Sequence, residues 1–344
     1  MLLPPKKILI IKNRALGDSV LTLSSLQYLR EILPSIQIEY AVPDWTLALY
    51  QNTKSAANQI WGFDCKKSRG RAKFFIHCWK EKYDLIIELN QSGSSGKILK
   101  LLSFLTSVPY YFHNHHQKNG GFIIDQGKPK ANIQRDLDAI WSILTKKYNF
   151  KIAHPHFFNY PPVLKSERKN PEKNFAVFGV VATRSTKMWP LENYTNLGKL
   201  LIEKGIVNKI IIPLSSSSID REIEKKIIDN LGPKVEIVKL SLQELPECLS
   251  AAKFYVGNDT GLKHICASLG VPTLTFFGPE NPEEWHPYDP KIHPYFFISK
   301  LECRTKLSHF CPLETCDSMI CLNQFTPEMA LEKLIQFKPR DQIL

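Results

Sequence analysis

Residues 6–33, KKILIIKNRALGDSVLTLSSLQYLREIL, set the reading of the fold. An apolar run leaves through two cations, a glycine and a carboxylate into a segment apolar at Val20, Leu21, Leu23, Leu26, Leu29, Ile32 and Leu33, near helical spacing, which stops at Pro34. That is a strand, a loop and a helix, the opening unit of a parallel sheet.

Working outward, the first half continues the alternation. IQIEYAV, DWTLALYQ, NQIWGF, a basic helix over 69–82, YDLIIELN, GKILKLLSFLT and VPYYF follow in turn. The segment 113–130 is a polar loop, then a helix runs from about Asn132 to Tyr148. A stretch with four prolines and a charge cluster, HPHFFNYPPVLKSERKNPEKN, reads as a linker. The rhythm restarts with FAVFGVV, a helix from Leu191 to Lys204 closed by Gly205, and NKIIIPL. It ends with KFYVGND, TGLKHICASLG and VPTLTFFGP. A Ser241-x-x-Glu244 capping box opens SLQELPECLSAA. Two Rossmann-like halves joined by the linker suggest a cleft, with ligands beyond the carboxyl ends of the strands.

Composition bounds the function. The chain has 344 residues, enough for two domains of ~150 each. No apolar run approaches the ~18 residues needed to span a bilayer, and MLLPPKK lacks a secretory h-region, so a cytoplasmic chain is expected. The net charge of +12 attracts polyanions, but the cations are scattered and no nucleic-acid motif is present, so an anionic lipid or phosphorylated substrate fits better than nucleic acid. Cys65, Cys78, Cys248 and Cys266 read as small core residues.

Three loops carry the chemistry. In VGNDTGLKHICASLG, Asp259, Thr260 and Gly261 make the turn into a helix whose N-terminus suits an anion, and His264 lies one turn on; an ordinary N-cap is the plainer reading. VATRSTKMWP offers Thr183, Arg184, Ser185, Thr186 and Lys187 with no carboxylate, so it would hold a diphosphate without metal, or be a solvated basic loop. At the opening stretch Gly17 allows the turn, and Asp18 either caps the first helix or serves as a general base.

Other patterns are weaker. NQSGSSGK fails as a P-loop because two residues separate Gly93 from Gly96 where four are required, and no GxGxxG follows a strand, which argues against a nicotinamide cofactor. His113, His115 and His116 fit no zinc spacing and read as a solvated loop. Cys303, Cys311, Cys316 and Cys321 suit zinc, a labile disulfide pair or plain packing equally. FTPEMALEKLIQF begins a terminal helix with Thr326 as cap and Pro327 at its first position.

Taken together, KILIIKNRALGDSVLTLSSLQYLRE, YDLIIELN, TRSTKMWP, VGNDTGLKHICASLGVPTLTFFGPENP and the cysteine-bearing tail before TPEMALEKL resemble glycosyltransferase family 9, the lipopolysaccharide heptosyltransferases. The resemblance implies an α/β protein of the GT-B fold, two Rossmann-like domains facing each other across a cleft. It places an acceptor domain at 1–160, a nucleotide-sugar domain at 161–325 and a terminal helix at 326–344 packing back on the first domain. It implies an inverting, metal-independent transfer of heptose, from ADP-heptose, to a phosphorylated inner-core acceptor at the cytoplasmic face of the inner membrane. Asp18 becomes the general base and Lys187 the group that stabilises departing ADP. Thr183, Lys187, Asp259, Thr260, Gly261 and His264 line the donor site, Leu240 is a weaker contact for the base, and Lys12, Arg14 and Gly17 take the acceptor. No cofactor, metal or nucleic acid is implied. Where relatives carry a glycine and an acidic donor contact, this chain has LSSSSIDRE, so Asp220 or Glu222 would have to serve. That departure leaves open a family member with another sugar, or an inactive nucleotide-sugar binder.

Overall fold

A computed structural model describes residues 3–91, 93–113, 130–167, 174–231, 234–304, 311, 313 and 315–336. The chain divides into two compact units, Met1–Lys165 and Ser166–Leu344.

In the first unit the strands are β1 (Lys7–Ile11), β2 (Gln37–Pro43), β3 (Thr53–Lys54), β4 (Gln59–Phe63), β5 (Leu85–Leu89) and β6 (Tyr110–His113). They alternate with α1 (Leu16–Leu21), α2 (Leu23–Ile32), α3 (Asp44–Leu47), α4 (Ser68–Glu81), α5 (Ser94–Thr106) and α6 (Asn132–Tyr148). Five strands pair in parallel in the order β4-β2-β1-β5-β6. β1 is apolar throughout its buried length because both faces of a parallel sheet are covered by crossover helices. α4 and α5 lay Phe74, Cys78, Leu99 and Leu102 into one core with Leu9, Ile11 and Ile86 of the sheet. The helical reading of 20–33 holds apart from Thr22, a single residue that separates α1 from α2.

β7 (Lys165–Ser166) straddles the boundary between the units. The second unit contains β8 (Phe175–Gly179), β9 (Lys209–Pro213), β10 (Val235–Val238), β11 (Phe254–Asn258), β12 (Thr273–Phe276) and β13 (Tyr295–Phe296). Its helices are α7 (Leu191–Glu203), α8 (Ser218–Leu231), α9 (Leu245–Ser250), α10 (Gly261–Ser268), α11 (Pro282–Trp285), α12 (Ile320–Asn323) and α13 (Pro327–Ile335). The parallel sheet runs β10-β9-β8-β11-β12-β13.

α13 forms with its expected cap, Thr326 Oγ1 accepting from the Met329 amide at 3.3 Å. Its apolar face does not follow expectation. Ala330, Leu331 and Leu334 enter the second unit's core with Trp189 and Leu197, and the helix packs on α7, which replaces packing on the first domain as the account of Pro327–Ile335. Residues 337–344 lie outside the described residues. Among the described residues no helix is long and apolar enough to cross a membrane.

Candidate active site

Each sheet has a strand-order switch, and the candidate residues gather at both. In the first unit the order reverses between β1 and β5, so the loops after these strands leave the same edge side by side. Arg14 joins them, its Nη2 donating to Asn90 Oδ1 at 3.1 Å, and Arg14 stays exposed. Gly17 is half-buried in the first turn of α1.

Asp18 follows Gly17. Ala15 is the N-cap of α1 and no side chain caps it, so the capping role does not explain Asp18. Instead Asn132 Nδ2 donates to Asp18 Oδ1 at 3.3 Å. Burial raises the Asp18 pKa and the Asp136 charge adds to the rise, while the charges of Lys12 and Arg14 and the Asn132 bond oppose it. A carboxylate with a raised pKa is a stronger proton acceptor when ionised.

Lys12 and His113 require corrections. Lys12 is fully buried, its Nζ 3.0 and 2.7 Å from the two carboxylate oxygens of Asp136. A buried ammonium needs such a partner, so Lys12 is committed to Asp136 and does not hold an acceptor anion. His113 is buried rather than solvated, with Nε2 2.8 Å from Asp136 Oδ1. Asp136 is thereby held below the usual carboxylate range against the pull of burial, mainly by Lys12. His115 and His116 lie outside the described residues.

In the second unit the switch falls between β8 and β11, whose residues Gly179 and Gly257 are partners in register. Asn258, fully buried at the end of β11, is the hub. Its Nδ2 donates to the Val180 carbonyl at 2.9 Å, and its Oδ1 accepts from the Trp189 amide at 2.8 Å and the Tyr194 hydroxyl at 3.0 Å. These bonds hold the loop after β8 against β11. At the end of that loop is a 3₁₀ turn, Ser185–Lys187.

Lys187 Nζ then reaches Asp259 Oδ2 at 3.0 Å, while Lys263 Nζ binds the other oxygen at 2.7 Å. Lys263 is fully buried, donates to the Trp285 carbonyl at 2.9 Å and lies 4.6 Å from the Phe277 ring centroid. Burial would raise the Asp259 pKa, but the Lys187 and Lys263 charges drive it far below the ordinary range, and burial pulls Lys263 down to about 8. One carboxylate thus stands between two ammonium groups, an excess of positive charge beside the N-terminus of α10.

Thr260 is the N-cap of α10, with extended backbone and no side-chain cap bond, and Thr260, Gly261 and Leu262 are half-exposed. Thr183 is exposed at the start of the same loop. Thr186 turns inward, donating to the Leu313 carbonyl, and Arg184 donates to Glu280 and to the Cys311 carbonyl. These side chains shape the loop from within. The surface available to a ligand comprises Thr183, the Lys187 tip, Thr260 and Gly261.

His264 and Asp259 sit beneath that surface. His264 is buried, with Nδ1 2.6 Å from the Tyr288 hydroxyl, and burial holds its pKa well below the ordinary value. This corrects the expectation that His264 lines the site. It is a neutral packing partner of Tyr288, and Asp259 orients two lysines rather than facing outward.

Asp220 likewise serves its own element, accepting from the Ser215 amide at 2.5 Å and the Ser217 hydroxyl at 2.7 Å at the start of α8. Burial would raise its pKa, but those bonds lower it and tie Asp220 to its own turn; the alternative donor contact, Glu222, is exposed. A cavity of about 580 Å³ on the second sheet is lined by Phe175, Lys209, Ile211, Val238, Leu240 and Cys248. It lies toward the amino ends of β8 and β9 and shares only Leu240 with the residues expected of the site. Cys303, Cys311, Cys316 and Cys321 are free thiols, and among the described residues no three His, Cys, Asp or Glu side chains gather as a metal site.

Sequence reasoning missed Asn132, Asp136, Asn258 and Lys263. Only Lys263 carried a local signal, four residues after Asp259 across the start of α10. Asp136 lies 124 residues from Lys12, and nothing in either segment points to the other.

The family described as Glycosyltransferase family 9 (heptosyltransferase) matches residues 71–316. Lipopolysaccharide heptosyltransferase 1 of Escherichia coli K12 is 24% identical over 295 residues, covering 80% of this chain and 89% of that protein. Lipooligosaccharide heptosyltransferase 2 of Haemophilus influenzae is 23% identical over 350 residues, covering 95% and 98%. Among solved structures, E. coli ADP-heptose lipopolysaccharide heptosyltransferase II superposes with a TM-score of 0.71 at 19% identity, covering 96% of this chain and 97% of that one. An E. coli heptosyltransferase solved with ADP-2-deoxy-2-fluoro heptose gives 0.68 at 20%, covering 96% and 99%. At such identities these structures speak for the fold, two Rossmann-like domains of the GT-B class.

Proposed function

The chain belongs to glycosyltransferase family 9, the heptosyltransferases, and from that premise we propose that it transfers a heptose from ADP-heptose to a phosphorylated inner-core acceptor of lipopolysaccharide, with inversion and without metal. The observation that carries the reading is the group Lys187, Asp259 and Lys263 beside the half-exposed N-terminus of α10. The amide groups of that turn and the Lys187 ammonium favour a diphosphate, and they supply positive charge where a leaving nucleotide develops its own negative charge.

Asp18 supplies the second half of the chemistry. Its carboxylate takes the proton of the acceptor hydroxyl as the oxygen attacks the anomeric carbon from the face opposite the diphosphate. The new glycosidic bond forms as the bond to the diphosphate breaks, through an oxocarbenium-like transition state, and ADP leaves toward Lys187. Arg14, exposed beside Asp18 in sequence, is the cation for an anionic group of the acceptor. The acceptor is lipid-linked, so the enzyme works as a peripheral protein at the cytoplasmic face of the inner membrane.

The commitment of Asp220 to its own helix favours a second reading, a family member that transfers another sugar. Calorimetric titration of ADP, UDP and GDP in chelator separates these. ADP should bind preferentially, and Lys187→Ala should weaken it about tenfold or more, the scale of one charge-assisted contact to phosphate. Preference for another nucleotide replaces the donor. Lack of binding to all three leaves an inactive scaffold.

A further inference from the structure

Among the described residues, five of the twelve large apolar side chains left exposed lie on two neighbouring helices of the first unit. Phe104 of α5 is 84% exposed, and Leu101 and Leu105 of the same helix are half-exposed. On α4, Ile76 and Trp79 are likewise half-exposed, and Phe75 packs its ring 5.7 Å from that of Trp79. The two helices pack against each other, so their outward faces form one surface on the same side of the sheet. Their inward faces are already accounted for by Phe74, Cys78, Leu99 and Leu102 in the core. Nothing in the helical pattern requires the outward residues to be apolar.

The same surface is cationic. Arg69, Lys73 and Lys80 fall on the exposed face of α4, spaced so that they alternate with Ile76 and Trp79 over three turns. Lys97 opens the exposed stripe of α5. α5 contains no carboxylate from Ser94 to Thr106, and the one acid of α4, Glu81, is bound to Lys7 at 2.6 Å. Long cationic side chains around aromatic and branched apolar ones match a surface with negative headgroups over hydrocarbon. A protein partner of ordinary composition would not call for one sign of charge alone.

We infer that the outward face of α4 and α5 is a docking surface for an anionic lipid bilayer, with Trp79, Phe104 and Leu105 entering the headgroup boundary and Lys73, Lys80 and Lys97 contacting lipid phosphates. The inference deepens the proposed function by naming how a lipid-linked acceptor is approached, and rests on that reading only for this purpose. Lipid binding is read without donor, acceptor or transfer, so the two can fail separately.

Co-sedimentation of the full chain tests it, with phosphatidylcholine vesicles with and without about 30% phosphatidylglycerol. The wild-type chain should sediment with the anionic vesicles, remain in solution with the neutral ones, and be released by about 0.5 M salt. Trp79→Ser with Phe104→Ser should lower the vesicle partition about tenfold or more, and Lys73→Ser with Lys80→Ser and Lys97→Ser should lower it comparably, while ADP binding is unchanged. These positions are exposed, so both variants should fold. Wild-type chain that stays in solution with anionic vesicles overturns the inference. So does an apolar double variant that sediments like wild type, or a wild-type dimer that the same substitutions dissociate, which would give this face to a second copy of the chain.

Discussion

Asn132 holds Asp18 at 3.3 Å while burial and the Asp136 charge raise its pKa. As a base, Asp18 works only when ionised, so transfer should rise with pH through its raised pKa. Asp18→Asn should lower the rate by about 10²–10⁴, the scale of a lost general base, and leave ADP affinity in place. Stability runs the other way. The folded chain holds the Asp18 proton at pH values where the unfolded chain, titrating near the ordinary carboxylate value, has lost it. This contribution is complete below the unfolded pKa and is lost as pH rises through the folded one. The Asn variant, unable to ionise, should therefore be relatively more stable at neutral pH, as thermal unfolding across pH would register. An Asn variant that turns over normally would remove the assignment. The candidate role of Asp18 was legible from a Gly-Asp turn after a strand. Its environment was not, because Asn132 and Asp136 come from a distant helix.

At the scale of elements, the ends of β8 and β11 meet at Gly179 and Gly257, beneath the Tyr255 hydroxyl. A Cβ on Gly179 would overlap that hydroxyl, and the next nearest atoms belong to the Tyr255 ring. A Cβ on Gly257 would also lie 2.8 Å from the Gly179 carbonyl oxygen, which cannot move away without disturbing the strand. Both alanine variants should lose about 1–3 kcal/mol by overpacking. Adding Tyr255→Leu should relieve Gly179→Ala more than Gly257→Ala, measured by denaturant unfolding of the singles and doubles. Equal relief at both positions would show that the backbone contact is unimportant. The helices and strands themselves were largely readable, since Asn132–Tyr148 and Leu191–Glu203 follow from apolar spacing and stop signals. The packing partner of the terminal helix was not, because an apolar stripe states that a face is buried and not against which unit.

For the whole molecule, each unit has its own parallel sheet and apolar core. Residues 166–344 hold Lys187, Asp259, Lys263 and α10 together, so this segment expressed alone should unfold cooperatively and keep ADP affinity within about tenfold of the full chain. Residues 1–165 alone should not bind ADP. Calorimetry on both segments decides this, and a folded 166–344 that ignores ADP would show that the nucleotide site needs residues of the first unit.

Local patterning along the chain encodes the two βα repeats, the strand ends at which chemistry gathers, the cap and apolar face of the last helix, and Lys187, Thr260 and Asp18 as candidates. Each depends on local period or turn chemistry, which neighbouring residues encode. Which charges are neutralised internally emerges from the folded chain alone. Folding buried Lys12 on Asp136 and Asp220 on its own loop, turned His264 toward Tyr288, and set Asp259 between Lys187 and Lys263. A charge removed from water must find its counter-charge in space, and that partner can stand anywhere along the chain.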